Sequence, residues 1–247
     1  PYRVISLTGS SAHMKVVDPY SNKEKEMISF VSNDYLGLSH HPEVIKAGID
    51  ALEQYGAGAG ASPLIGGHNF LHEQLEQEIA HFLKNEYAIT YTSGYAANCS
   101  TLLAMMGKED IAIMDMFTHA SVFDGCLCTN TKRFLHNNID SLVHVLNNSK
   151  NFKNRFVIID GVYSQDGDIA FLDQIYAVCK EHDAFLIVDD AHGIGVLGKT
   201  GRGIIEDYGL LDKVDMITGT FSKAFGCVGG YAIARKEIIT LLRYYSR

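Results

Sequence analysis

The sequence has few of the features that mark specialised classes of protein. Only 4 of its 247 residues are proline, and no apolar run reaches the ~18–20 residues of a membrane-spanning helix. Basic residues are not in excess, because 21 Lys and Arg stand against 29 Asp and Glu, for a net charge of −8. The start of the chain lacks the charged and apolar regions of a signal peptide. A membrane span and a nucleic-acid partner are therefore not expected.

The chain also lacks a paired cysteine framework. Its five cysteines are an odd number without regular spacing, which predicts free thiols and a cytoplasmic location. Cys126 and Cys128 are too close together for a zinc ribbon. His68 and His72 have the i, i+4 spacing of a metal pair, but we expect no metal there.

What the sequence does contain is short apolar runs that alternate with longer helical stretches. The predicted strands are Tyr87–Thr92, Ile111–Met114, Phe156–Asp160, Phe185–Asp189, Met216–Gly219 and Tyr231–Ala234. The predicted helices are His41–Tyr55, Asn69–Leu83, Tyr95–Met106, Ser141–Asn147, Leu172–Asp183 and Lys236–Tyr244. This alternation predicts an α/β fold with a mainly parallel sheet. We expect residues 1–28 to be a polar, turn-rich lead-in segment and residues 29–247 to form one large domain.

Polar side chains follow most of the predicted strands, at the edge where parallel sheets bind ligands. The segments are Ser93-Gly94-Tyr95, Met116–His119, Gly161–Ser164, Asp189–His192 and Thr220–Lys223. The prediction is therefore a site of hydroxyls, two histidines, acidic groups and one lysine.

One segment matches two phosphate-binding motifs. Gly193–Thr200 fits the P-loop pattern, and its first part fits the dinucleotide pattern GxGxxG. Both motifs require the glycines to lead into a helix, whereas here Gly201-Arg202-Gly203 follows directly, a poor start for a helix. We therefore expect a glycine-rich hairpin or loop. A P-loop NTPase remains a remote alternative.

Asp189 and Lys223 suggest a different chemistry. A lysine just after a buried strand, among Thr, Ser and Gly, suits a Schiff-base nucleophile. An Asp at the end of the preceding strand can keep a pyridine nitrogen protonated, which a pyridoxal phosphate site needs. Ser93–Asn98 offers a helix N-terminus with small residues for the phosphate, and His119 could lie flat on the ring.

The sequence resembles the α-oxoamine synthases, which are pyridoxal phosphate enzymes of fold type I. The resemblance covers residues 28 to 240 in the family's order. The matching segments are Ser32–Leu38, Gly66-Gly67 with His72–Glu76, Thr92–Asn98, His119–Ser121, His136–Asn138, Gly161–Ser164 with Asp166–Asp168, Val188–Gly193, and Thr220–Gly226 with Gly229-Gly230.

The resemblance implies a role for each matched residue of the cofactor site. Lys223 would bind the cofactor aldehyde and later move the substrate α-proton, Asp189 would pair with the pyridine nitrogen, and His119 would stack on the ring. His192, expected to be catalytic with these three, would contact the ring hydroxyl together with Ser164. The phosphate would be held by Ser93, Gly94, Tyr95 and Thr220. Asp190, beside Asp189, is the alternative partner for the ring nitrogen.

The resemblance also implies a substrate class and an assembly. It predicts a three-layer α/β/α domain like the large domain of aspartate aminotransferase, and a homodimer with Asn33 and Tyr35 near the substrate. The family's C-terminal domain, with an Arg for the amino-acid carboxylate, is not within residues 1–247. Some members have an Arg where Pro63 stands here.

The activity that the resemblance implies joins an amino acid to an acyl-CoA or acyl-carrier-protein thioester, usually with decarboxylation. Three segments favour the branch that uses alanine and a pimeloyl thioester, namely Ser39–Pro42, Met105–Asp110 and Arg133–Asn137. A branch that uses serine or glycine is the alternative. A catalytically inactive partner subunit is a third possibility, which the presence of Lys223 disfavours.

Overall fold

The computed structural model describes residues 3–247, so the first two residues of the predicted lead-in segment lie outside it. The described chain divides into two units. One contains residues 3–58 and Ser222–Cys227, and the other contains Ala59–Phe221 and Val228–Arg247. The predicted division at residues 28 and 29 stays a prediction.

The first unit opens with a small antiparallel sheet. Its strands are β1 (Ile5–Ser6), β2 (His13–Val17) and β3 (Glu24–Ile28), paired in the order β1-β2-β3. The predicted turn joins β2 to β3, where Asn22 N–H donates to the Asp18 carbonyl at 2.8 Å. The predicted lead-in segment therefore contains three strands.

Helix α1 (Pro42–Tyr55) completes the first unit. It has Pro42 in its first turn and ends at Gly56, as expected from the position of both residues. None of its residues is buried within the described chain. Ile45, Ile49 and Leu52 are about half exposed and lie on one face of the helix.

The second unit contains a seven-stranded sheet. Its strands are β4 (Ala88–Tyr91), β5 (Ile111–Asp115), β6 (Asn130–Phe134), β7 (Arg155–Asp160), β8 (Phe185–Asp189), β9 (Met216–Thr220) and β10 (Gly230–Ala234). Their order is β4-β10-β9-β8-β7-β5-β6. Among these seven strands, β10 runs in the opposite direction to the other six. The predicted α/β class with a mainly parallel sheet is confirmed.

Helices follow most of the strands. They are α2 (Phe70–Phe82), α3 (Gly94–Met105), α4 (Ala120–Gly125), α5 (Ile139–Asn147), α6 (Leu172–Glu181), α7 (Ile204–Asp207) and α8 (Lys236–Tyr245). Every residue of β5, β9 and β10 is buried. Because successive strand side chains point to opposite faces, both faces of the sheet are covered, which is the expected three-layer arrangement.

Within residues 3–247, none of the helices combines the length and the apolar character needed to cross a membrane.

Candidate functional site

The sheet topology brings the predicted site segments of the second unit to one edge. β4, β5, β7, β8 and β9 are parallel, so their carboxyl ends lie at the same edge of the sheet. The predicted residues just before or beyond these ends are Ser93, Gly94, Tyr95, His119, Ser164, Asp189, His192 and Thr220.

The N-terminus of α3 forms one side of this edge. Ser93 caps the helix, because its Oγ accepts the N–H of Ala96 at 3.0 Å. A side chain at position 94 is excluded by close packing, since a Cβ there would lie 2.8 Å from the Thr220 Cβ. The N–H groups of Gly94 and Tyr95, in the first helical turn, are of the kind that binds anions.

Thr220 is the buried end residue of β9. Its hydroxyl donates to the Gly229 carbonyl at 2.8 Å, so it must turn from this carbonyl to donate to an anion. Gly230, which pairs with Thr220 in the sheet, cannot take a Cβ either, because that atom would overlap the Ser93 carbonyl. The backbone around the helix N-terminus is therefore closely packed on this side.

Asp189 lies at the end of β8 and is almost fully buried. Its Oδ1 accepts the Ala191 N–H at 3.0 Å, and its Oδ2 accepts the Asn98 side-chain amide at 2.6 Å. One donor on each oxygen fixes the orientation of the carboxylate.

Asp190, the neighbouring acid, has a different environment. Burial raises its pKa well above the usual value, and its Oδ2 accepts the Ile204 N–H at 3.0 Å. Gly161, Gly193 and Gly203 surround the carboxyl group, because a Cβ at any of them would overlap it. Asp190 is therefore enclosed by backbone, which favours Asp189 as the acid that faces a ligand.

His119 caps α4 and is exposed at the edge. Its Nδ1 lies 2.7 Å from the Ser121 Oγ and 3.2 Å from the Ser121 backbone N. The Tyr95 ring meets the His119 ring edge-on, with 6.4 Å between centroids. The Tyr95 hydroxyl donates to Asp124, and this hydrogen bond raises the pKa of Tyr95 to about 12.

The remaining predicted residues lie in turns of the second unit or in the first unit. Ser164 is exposed in the turn after β7, and His192 is half-buried in the turn after β8. Lys223, Asn33 and Tyr35 belong to the first unit, where the Tyr35 hydroxyl donates to the Asn33 Oδ1 at 3.3 Å. Lys223 lies three residues beyond Thr220 along the chain.

The glycine-rich segment after His192 is a hairpin-like loop, as predicted. Ile194 pairs antiparallel with Arg202, and the Gly195 N–H donates to the Gly201 carbonyl at 2.8 Å. The next helix begins only at Ile204 and has four residues. This arrangement does not form the strand–loop–helix unit of a P-loop, so the NTPase alternative is wrong.

Sequence reasoning missed two buried polar residues behind the edge. The Asn98 amide nitrogen donates to the Asp189 Oδ2 and to the Ser121 Oγ, the latter at 2.9 Å. Both Asn98 and Ser121 are buried. The available signal was an Asn inside an otherwise small and apolar helical segment, where an amide needs a partner.

His136 is a further ionisable group near this edge. Its Nδ1 lies 2.9 Å from the Asp115 Oδ1, and its Nε2 lies 2.8 Å from the Asp168 Oδ2. Its ring stacks on Phe117 and meets the edge of Tyr163. Burial lowers the pKa of His136, but the hydrogen bonds to both carboxylates outweigh it, so the net effect is a raised pKa.

This raised pKa predicts a pH-dependent contribution to stability. The neutral ring can donate to only one carboxylate, so the contribution is present below pH ~6.5 and is lost as pH rises through the folded-state pKa. We expect the loss of Tm in His136→Gln to be larger at pH 6 than at pH 8.5, as measured by thermal denaturation. The exposed His144, replaced by Gln, is the control; an equal loss for His136→Gln at both pH values would contradict the ion-pair argument.

Among the described residues, one group of side chains has the spacing of possible metal ligands. It consists of His68, Glu73 and Glu76, whose potential ligand atoms lie within 4.8 Å of one another. The His68 Nε2 pairs with Glu73 at 3.0 Å. Glu76 is already engaged, since it accepts from Thr90 and from Arg243, each at 2.9 Å. Hydrogen bonds and ion pairs within the protein therefore explain why these three side chains lie close together.

The fold and the site edge agree with one family of proteins. The family model described as aminotransferase class I and II matches residues 25–247. The chain belongs to this family.

Curated relatives that match this chain include two 8-amino-7-oxononanoate synthases. The chain is 40% identical to 8-amino-7-oxononanoate synthase of Saccharophagus degradans, over 99% of this chain and 61% of the relative. It is 42% identical to 8-amino-7-oxononanoate synthase 1 of Bacillus subtilis, over 90% of this chain and 57% of the relative. The chain thus spans about three fifths of the length of these curated relatives.

A solved structure is similar to this chain over its whole length. The serine palmitoyltransferase of S. paucimobilis, with a bound PLP–myriocin aldimine, superposes with a TM-score of 0.93 at 33% identity. The match covers 100% of this chain and 61% of that one. Both named activities are those of α-oxoamine synthases, the group that the sequence resembles.

Proposed function

We propose that the protein is a pyridoxal phosphate-dependent acyltransferase that joins an amino acid to an acyl thioester and releases CO2. The favoured reaction is that of 8-amino-7-oxononanoate synthase, from L-alanine and a pimeloyl thioester. The observation that carries the proposal is the Asp189 carboxylate, which two donors orient at the same sheet edge as the N-terminus of α3.

The residues at this edge fit the cofactor. A phosphate suits the α3 N-terminus, where Gly94 leaves no room for a side chain. The ring nitrogen suits Asp189, and the ring face suits the exposed His119. The remaining proposed contacts are Ser93, Tyr95 and Thr220 at the phosphate, Ser164 and His192 at the ring hydroxyl, and Lys223 at the aldehyde.

When bound, this cofactor supplies an electron sink for the charge that develops on the substrate Cα. Asp189 keeps a proton on the ring nitrogen by electrostatic attraction. Lys223 holds the cofactor and, once the amino acid has displaced it, its amine accepts the Cα proton. His119 covers one face of the ring and excludes water from it. The Cα would then bond to the acyl carbon as the carbon–sulfur bond breaks and the thiolate of CoA leaves. The carboxyl group would depart as CO2, and the Lys223 ammonium would return a proton to Cα.

The alanine branch is supported by the two curated relatives at 40% and 42% identity. The second candidate is a serine- or glycine-using activity, that of serine palmitoyltransferase or 2-amino-3-ketobutyrate CoA ligase. It is supported by the close superposition on serine palmitoyltransferase.

A spectroscopic titration separates these branches. Purified protein loaded with pyridoxal phosphate is titrated with L-alanine, L-serine and glycine while its visible absorption is recorded. We expect L-alanine to shift the spectrum at the lowest concentration, and pimeloyl-CoA then to release free CoA thiol. A preference for serine with palmitoyl-CoA would favour the second candidate, and no shift with any amino acid would contradict both.

We further propose a cytoplasmic homodimer. All five cysteines are free thiols, which suits a reducing compartment. The uncovered stripe of Ile45, Ile49 and Leu52 on α1 offers an apolar face to a second copy. Sedimentation equilibrium of the purified protein measures the assembly directly.

A further inference from the structure

Asn98 occupies an unusual position in α3, because one amide nitrogen contacts two parts of the site. Its Nδ2 lies 2.6 Å from the Asp189 Oδ2 and 2.9 Å from the Ser121 Oγ. A side-chain amide carries two hydrogens, so each contact uses one of them. All three residues are buried, so water does not replace these bonds readily.

The contact with Ser121 determines which way its hydroxyl donates. Since the Ser121 Oγ accepts from Asn98, its own hydrogen is available to the His119 Nδ1 at 2.7 Å. The Ser121 backbone N–H also donates to this nitrogen, at 3.2 Å. Nδ1 is therefore an acceptor, and the proton of the neutral His119 ring lies on Nε2.

The contact with Asp189 determines the orientation of its carboxylate. Asn98 donates to Oδ2, and the Ala191 N–H donates to Oδ1 at 3.0 Å. With both oxygens held, the carboxylate cannot rotate without losing a hydrogen bond. In a buried site, an acceptor that loses its donor pays the full desolvation penalty.

We propose that Asn98 is a positioning residue that orients Asp189 and, through Ser121, fixes the tautomer of His119. The inference rests on the proposed function, because the roles of Asp189 at the ring nitrogen and His119 at the ring face belong to it. Asn98 thereby connects Asp189, the proposed partner of the ring nitrogen, to His119, which is proposed to cover the ring face.

Two substitutions separate the two contacts. Asn98→Asp replaces the donating NH2 by an oxygen, so the contact with Asp189 becomes acceptor against acceptor. The Ser121 hydroxyl can then donate to the new carboxylate instead of to His119. Ser121→Ala removes the hydroxyl that connects Asn98 to His119 and leaves the Asn98–Asp189 bond in place. The backbone N–H of residue 121 then stays as the weaker donor to the His119 Nδ1. The control is Asn154→Asp, because Asn154 donates to the Asp110 Oδ1 at 2.7 Å at the opposite edge of the sheet.

The first measurement uses cofactor-free protein and does not depend on the proposed function. Long-range 1H–15N NMR of ¹⁵N-histidine-labelled protein, assigned with His119→Asn, should give the Nε2–H tautomer in the parent protein and in Asn154→Asp. We expect Asn98→Asp and Ser121→Ala to give mixed tautomers. The parent pattern retained in Ser121→Ala would overturn the proposal, even if Asn98→Asp failed to fold.

The second measurement uses cofactor-loaded protein. The midpoint of the pH titration of its visible absorption should shift by at least about one unit in Asn98→Asp, but by less than about 0.3 units in Ser121→Ala and Asn154→Asp. An unshifted midpoint in Asn98→Asp would overturn the Asp189 part of the proposal. If no variant and no parent protein bound the cofactor, the proposed function would fail, whereas the tautomer result would still stand.

Discussion

Replacement of Arg243 by Ala is expected to lower the free energy of unfolding by about 2–4 kcal/mol. The Arg243 guanidinium lies 2.9 Å from the Glu76 Oε2, and Glu76 is only 4% exposed. Without Arg243 the buried Glu76 carboxylate loses the guanidinium that offsets its charge. The Arg243 side chain is itself 46% exposed, so water can solvate part of the charge that Arg243 leaves behind. The expected loss of stability is therefore smaller than for a fully buried ion pair. Urea denaturation measures the change.

Two further variants test the cause of this loss. Glu76→Gln in the Arg243→Ala background removes the uncompensated charge and keeps an acceptor for the Thr90 N–H, so it should recover most of the lost stability. Arg235→Ala breaks an exposed pair with Glu237 and should change stability by less than about 0.5 kcal/mol. Equal losses for Arg243→Ala and Arg235→Ala would show that burial of Glu76 is not the cause.

This ion pair supports the site as well as the fold. Glu76 in α2 accepts the backbone N–H and the hydroxyl of Thr90 in β4, while Arg243 lies in α8. The pair therefore ties two helices to the strand that leads directly into Ser93 and the N-terminus of α3. A loosened β4 would disturb the proposed phosphate end of the site.

The sequence predicted the buried parallel strands well and the exposed ones poorly. β5, β7, β8 and β9 are short apolar runs that end at polar residues, so composition alone marks them. β6, Asn130–Phe134, is a polar edge strand, and pairing with β5 rather than an apolar pattern makes it a strand. The hairpin of β2 and β3 was missed for the same reason, because β3 is fully exposed.

The position of a candidate site residue could be predicted where it lies at the end of a strand, but not where it lies behind the sheet edge. Ser93, His119, Asp189 and Thr220 could be placed at one edge because parallel strands share their carboxyl ends. The supporting pair, Asn98 and Ser121, lies on two helices that only the three-dimensional packing brings together. Neither residue has a spacing in the sequence that indicates contact with Asp189 or His119.

Replacement of Asp189 by Asn is expected to lower kcat/KM for the proposed reaction by about 10²–10³-fold, the range for loss of one well-placed electrostatic group. Asn has the shape of Asp but no charge, so it cannot hold a proton on the ring nitrogen by ionic attraction. The Asn98 and Ala191 donors, at 2.6 and 3.0 Å, can still be satisfied in part by the new amide oxygen. The protein should therefore remain folded while catalysis is lost, which circular dichroism and steady-state kinetics measure together.

Asp190→Asn is the matched control for this experiment. Burial raises the pKa of Asp190 well above its usual value, which favours the protonated acid, and an amide is a close substitute for that form. Its oxygen can still accept the Ile204 N–H. We expect kcat/KM of Asp190→Asn to stay within about tenfold of the parent protein, since Asp190 is enclosed by backbone and does not face the ligand. A large loss in Asp190→Asn with near-normal activity in Asp189→Asn would reverse the two roles and make Asp190 the partner of the ring nitrogen.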